Sequence, residues 1–352
     1  MIVIYSPYNY LEEGGQYGYG LLARLNAASI LLHTKTGIIS KVLSRTALIG
    51  RCLFDRGVLV TQSGRRIMSV LKKMNFKVVF INHGWGTKRT PPHLVSKNRR
   101  ELKGYRWLRM YTDYVICYSD FDKTYFLRHP LIDDLPMPEF VPLGHPRNDF
   151  LVKNKDNAEY KSEVRKKLGL PIDAKVILIA PTFRDIPQYN AEIANLYQEE
   201  LEKLQRCLDE RVYVLYRPHY YMVDLKYLKW KNIIVCDSSS FPDPRPLMLA
   251  SDMLVTDYSS IFVDYLLLER PMAFFQPDIE KYQGVRGLVI DPDNKVHMPG
   301  PKLRNLKEML DLSENDFAAY DLEVSKKFFH KFTDGAATER VSNFINNLLR
   351  TL

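Results

Sequence analysis

Four short stretches carry side chains whose types and spacing suit phosphate chemistry and proton transfer. Arg217-Pro218-His219 follows a β-branched run, where a guanidinium beside an imidazole supplies a forked donor and a tunable second donor for a diphosphate. Asp257-Tyr258-Ser259-Ser260 lies between an apolar run and a helix-like segment. Free amides at a helix start, with two serine hydroxyls, form a cradle for an anion; the same turn serves equally as a plain N-cap through Ser259 or Asp257. Asn82-His83-Gly84-Trp85-Gly86 also ends an apolar run. A histidine followed by glycines that admit a substrate to the backbone suits a general base, and a purely structural histidine fits there too. Asp334-Gly335 marks a turn before a helix that carries Arg340 at the edge of its apolar stripe, turned either inward or to solvent.

The elements that must position these residues follow from the hydrophobic pattern. Short β-branched runs alternate with helix-period segments from end to end, which predicts parallel sheets wrapped by helices. Strands are expected over 2–5, 58–61, 77–81, 114–118 and 140–143, with helical spacing over 21–32 and 65–74. A polar segment, 152–165, reads as a linker feeding a helix. Beyond it strands are expected over 176–180, 212–216, 233–236, 253–256, 272–275 and 288–290, then a last helix over 336–349 with Val341, Phe344, Ile345 and Leu348 on one face. The expectation is an α/β chain of two doubly wound domains facing across a cleft, 1–150 and 151–352, with the last helix packing back across the junction. Open α/β sheets bind ligands at the carboxyl ends of their strands, so chemistry is expected in the loops after strands. Pro181-Thr182-Phe183-Arg184-Asp185 occupies such a place. So does Gly144-His145-Pro146-Arg147-Asn148-Asp149, which equally makes a rigid hinge. Gly14, Gly15, Gly18 and Gly20 lack the spacing of a dinucleotide fingerprint.

Composition bounds the partners. At 352 residues the chain exceeds the length at which one core stops growing, about 250–300. With 46% hydrophobic and 26% charged residues it is an ordered protein rather than a disordered one. Cys52, Cys117, Cys207 and Cys236 lie far apart without a C-x-x-C pair, against both a zinc site and a disulfide framework. The first residues lack a basic segment and cleavage site, and no apolar run reaches the ~18 residues of a membrane span, so a cytoplasmic protein is expected. The net charge of +9 implies an anionic partner. Lys88, Arg89, Lys97, Arg99, Arg100, Lys103, Arg106 and Arg109, interleaved with Tyr105, Trp107 and Tyr111, fit either peripheral binding to an anionic membrane or a solvated helix face.

Six stretches in one order carry a family likeness: His83-Gly84 with Lys88; Gly144 with Pro146 to Asp149; Ala180 to Asp185; Arg217-Pro218-His219-Tyr220; Ser251-Asp252 through Thr256 to Ser260; and Asp334-Gly335 through Arg340-Val341. Together they resemble the CDP-glycerol:poly(glycerophosphate) glycerophosphotransferases, which include the primases and polymerases of wall teichoic acid and related capsule enzymes. The resemblance implies a GT-B-like pair of Rossmann-like domains, with CDP-glycerol or a related CDP-alditol held mainly by the C-terminal one. Carried over by position, His83 would be the catalytic base, and Arg217, His219, Ser259, Ser260 and Arg340 would hold the donor's phosphates. Thr182, Arg184, Lys88 and Asp257 lie in the matching motifs and are expected in the substrate site. The implied reaction is attack by a hydroxyl of a lipid-linked or polymeric acceptor on the phosphorus attached to glycerol, with CMP departing, at the inner membrane face. Asp252 and Asp257 flank one strand and Asp257 reads as turn-forming, so no metal and no cofactor are expected. Trp85-Gly86-Thr87 departs from the Thr-Pro continuation expected after the His-Gly pair, which implies a different acceptor side. The chain opens without the long N-terminal extension of the large polymerases, as a primase or short-product enzyme would. A GT-B glycosyltransferase or sugar epimerase using a nucleotide sugar is the nearest alternative. A nucleic-acid-binding protein is a remote one, since no nucleic-acid motif is present.

Overall fold

Val58–Thr61, Met253–Thr256 and Met272–Phe275 are buried at every position, as strands of parallel sheets covered on both faces must be. The computed structural model describes residues 2–6, 29–33, 56–61, 66–82, 86–89, 99–219, 222 and 230–352. The chain divides into two compact units, one made of Met1–Gly86, Thr90–Asp149 and Phe329–Leu352, the other of Thr87–Arg89 and Phe150–Phe328.

The first unit holds β1 (Ile2–Ser6), β2 (Ser29–His33), β3 (Val58–Thr61), β4 (Lys77–Ile81), β5 (Tyr114–Cys117) and β6 (Glu139–Pro142). They form one sheet in the order β2-β1-β3-β4-β5-β6, parallel throughout. Alternate residues serve opposite faces. Leu59, Val78, Phe80 and Val115 pack with Met68 and Leu71 of the helix Arg66–Lys73. Val58, Val60, Val79, Ile81 and Ile116 pack with Val341 and Ile345 of the last helix, Ala337–Arg350. That helix has no capping side chain of its own at Ala336. Asp149 supplies the missing acceptor, taking the Ala337 and Thr338 amides at 2.8 Å each and placing a negative charge at the helix's positive end.

The second unit holds β7 (Lys175–Ala180), β8 (Val212–Tyr216), β9 (Ile233–Val235), β10 (Met253–Thr256), β11 (Met272–Phe275) and β12 (Lys302–Leu303), in the order β12-β11-β10-β7-β8-β9. From β7 the chain moves outward to β8 and β9, then returns to the other side of β7. The switch point at which parallel sheets bind ligands therefore lies between β7 and β10.

Three expectations are corrected. Ser29–His33 is an edge strand beside β1 and not the end of a helix; residues 21–28 lie outside the described residues. The polar segment 152–165 is not a linker but belongs to two helices, Asp149–Asn154 and Ala158–Lys167. Asn157 caps the second, and Arg165 turns inward to a bidentate pair with Asp252 at 2.9 and 2.8 Å and to the carbonyls of Ala250, Ile172 and Ala174. Residues 288–290 make no strand: Leu288 forms a single antiparallel bridge with Lys88, and Lys302–Leu303 takes the sheet edge instead. The approach to that edge strand requires glycine at 300, where a Cβ would meet the Met272 carbonyl oxygen at 1.9 Å.

Candidate functional site

The loops after three neighbouring strands, β10, β7 and β8, carry residues 257–260, 181–185 and 217–219. Arg184 is the centre of the group flanking the switch point. Its guanidinium donates to both oxygens of Asp278 at 2.7 and 2.8 Å, to Asp257 at 3.0 Å and to the Thr182 carbonyl at 2.7 Å. Its carbon lies 5.0 and 4.9 Å from the rings of Tyr258 and Tyr282, which stack at 4.0 Å, and 5.8 Å from that of Tyr189. Asp257 accepts from the Thr182 and Tyr258 amides at 2.9 and 2.6 Å as well as from Arg184. Burial pushes Asp257 up, while Arg184 and the Thr182 amide pull it down. Burial is the largest of these effects, so Asp257 sits above the ordinary carboxylate range.

Arg184 and Asp257 were both expected to touch substrate. Each side chain is 0% exposed and its polar atoms are spent on protein partners, so the geometry makes them internal braces. What they hold is Thr182. Its hydroxyl accepts from the Lys88 ammonium, and Lys88 lies 5.4 Å from the Phe183 ring. Lys88 is seated in the second unit by its neighbours: Thr87 donates to the Tyr258 carbonyl at 2.7 Å, and the Arg89 amide to the Gly287 carbonyl at 3.1 Å. Burial, and then the charge of Arg286, push Lys88 down to about 8.

The β8 loop brings the His219 ring against Phe183, centroids 4.4 Å apart. Arg217 donates to the Cys236 carbonyl at 2.8 Å and to that of Phe241. Ser259 and Ser260 are half-buried before the helix Ile261–Tyr265, which runs one turn before a 3-10 turn, Leu266–Leu268, replaces it. So short a helix has little dipole, and any anion cradle here rests on hydroxyls and local amides. Ser260 forms no side-chain cap, and the Ser259 hydroxyl accepts the Ile261 amide at 3.4 Å.

Arg340 lies in the first unit. It pairs with Asp334 at 2.9 and 2.7 Å, donates to the Leu143 carbonyl at 2.9 Å and covers the Phe332 ring at 4.1 Å. His83 lies outside the described residues, with Gly84 and Trp85. The residue before it, Asn82, has its carbonyl oxygen 2.5 Å from Nε2 of buried His145. Nδ1 of His145 accepts the Arg147 amide at 3.3 Å, so the ring proton sits on Nε2. Within the basic stretch, Arg109 is buried and ties down the loop carbonyls of Leu127 and Leu135 at 2.6 Å, while Arg106 pairs with Asp134. These two arginines are spent on the fold rather than offered as a basic face.

The family description CDP-Glycerol:Poly(glycerophosphate) glycerophosphotransferase matches residues 39–347. The chain belongs to this family. It is 37% identical over 210 residues to the teichoic acid poly(glycerol phosphate) polymerase of Bacillus subtilis (strain 168), a match covering 57% of this chain and 28% of that one. It is 26% identical over 350 residues to the teichoic acid glycerol-phosphate primase of the same organism, covering 96% and 87%. The solved structure of the wall teichoic acid polymerase TagF superposes with a TM-score of 0.73 at 23% identity, covering 99% of this chain and 89% of that one, a likeness of fold of the GT-B-like kind. In this family member the residues that sequence reasoning missed are Asp278, Tyr189 and Tyr282. None sits in a recognisable motif.

Proposed function

We propose that the chain transfers glycerol phosphate, or a related alditol phosphate, from a CDP-alditol to a hydroxyl of a lipid-linked or polymeric acceptor, releasing CMP. The observation that carries this reading is the placing of Thr182, Ser259, Ser260, Arg217 and His219 on the loops after three adjacent strands of the second sheet, with the Lys88 ammonium bonded to Thr182. Cationic and hydroxylic donors gathered there suit a diphosphate. In the reaction, His83 takes the proton of the acceptor hydroxyl as its oxygen bonds to the phosphorus bearing glycerol. The bond from that phosphorus to the CMP oxygen breaks, and the second unit's donors neutralise the charge that collects on CMP. The acceptor is proposed to meet the protein at the membrane face. Among the described residues no helix is long and apolar enough to cross a membrane.

The test is CMP release by the purified protein given CDP-glycerol, CDP-ribitol or UDP-sugars, with and without a lipid-linked acceptor. Acceptor-dependent CMP release is expected, falling at least about 100-fold in His83→Ala. Release of UDP, or no turnover of any CDP-alditol, would replace this reading with that of a nucleotide-sugar enzyme on the same fold. Abolition by EDTA with recovery on adding Mg²⁺ would overturn the metal-independent step.

A further inference from the structure

We infer that Asp278 is a positioning residue for the proposed donor site, acting through Arg184 and Thr182 to fix where Lys88 presents its ammonium group. The inference rests on the donor-site reading for its purpose, and on the geometry alone for its mechanism.

Asp278 stands at the N-cap of the helix Ile279–Val285, where an aspartate ordinarily accepts an amide of the first turn. It makes no such bond. Its carboxylate turns away from its own helix and takes two guanidinium bonds from Arg184, one from the Tyr258 hydroxyl at 3.0 Å and one from that of Tyr189. A local cap is given up for a long-range one. The guanidinium so held passes the constraint on in two ways. Directly it grips the Thr182 carbonyl; through Asp257 it grips the Thr182 amide. Both polar groups of that residue's backbone are thus fixed by one buried ion cluster, and its hydroxyl is aimed at Lys88. An ion pair serving stability alone has no need to end on a second cation at the sheet's switch point. Four groups face Lys88: Arg286 from the end of the helix Ile279–Val285, Asp185 and Arg184 from the β7 loop, and Asp257 from the β10 loop. Arg286 and Asp185 neutralise each other at 3.1 Å. Lys88 is half-buried with its ammonium bonded to the Thr182 hydroxyl, so the brace that keeps Thr182 in place sets the surroundings of that ammonium.

The test is competitive amine labelling of the full chain across pH 6 to 11, read by mass spectrometry at Lys88, in wild type, Asp278→Asn and the double variant Tyr189→Phe, Tyr258→Phe, with and without CDP. The wild-type titration midpoint is expected near 8. In Asp278→Asn it should rise by at least one pH unit, a fall of about fivefold or more in the neutral fraction at pH 8, with a smaller rise in the double variant. The tyrosine variant keeps the ion pair and carries the test if Asp278→Asn does not fold. A folded variant whose Lys88 profile matches wild type, or moves lower, would overturn the inference and leave Asp278 a stability element. CDP protection of wild-type Lys88 tests the donor-site reading separately. If CDP fails to protect while the midpoint still shifts in the variants, the brace stands and the donor site falls.

Discussion

Asp122 in the first unit and Asp278 in the second are carboxylates at the carboxyl ends of parallel sheets, and they are held in opposite ways. Asp122 is buried and accepts the Tyr118 and Ser119 amides at 3.1 Å each and the Tyr125 hydroxyl at 3.4 Å. Burial outweighs these neutral donors and pushes it up to about 7. Asp278 feels burial too, but the charged Arg184, helped by Tyr189 and Tyr258, holds it below the ordinary carboxylate range. At Asp278 two guanidinium bonds offset the lost hydration, and at Asp122 the amide dipoles do not. The first sheet thus carries a proton-holding group near neutrality, and the second a fixed charge that organises its loops.

The sharpest way to break this contrast is Arg184→Met, which leaves Asp257 and Asp278 buried with no cation between them. A loss of about 3–5 kcal/mol in urea-detected stability of the second unit is expected. Next in size is the pH dependence of Asp122. With an unfolded value near 3.9 and a folded value of about 7, the native state binds the extra proton between those limits. Stability should therefore fall as pH rises from about 4 to 7, by up to about 4 kcal/mol, and level off above. Asp122→Asn should flatten that slope, and an unchanged slope would assign it elsewhere. Smallest is the effect of Lys88 on donor binding. As the ammonium loses its proton above pH 8, KM for the CDP-alditol should climb by up to about tenfold per pH unit. Lys88→Arg should keep KM flat to pH 10.

Much of the fold was legible because the central strands are continuous apolar runs bounded by polar turns, as in Val58–Thr61 and Met253–Thr256. Errors fell at edges. Ser29–His33 ends an apolar segment whose spacing also fits a helix, and a strand of two residues such as Lys302–Leu303 leaves no pattern. The loops with chemistry were legible from their place after strands. The roles of Arg184 and Asp257 were not, because a charged residue in a loop reads as a contact to something outside. Its burial depends on Asp278, 94 residues away from Arg184, and on a ring of tyrosines that no spacing rule connects.

The first sheet is covered on one face by a helix drawn from Phe329–Leu352, whereas the second unit is continuous from Phe150 to Phe328 apart from Thr87–Arg89. During synthesis the ribosome therefore makes most of the first unit before the second and its covering helix after it. Val58, Val60, Val79 and Ile81 remain without Val341 and Ile345 while the whole second unit emerges and folds. The unit begun before the other is finished after it, and the apolar face that Val341 and Ile345 cover is open to misassembly in the interval.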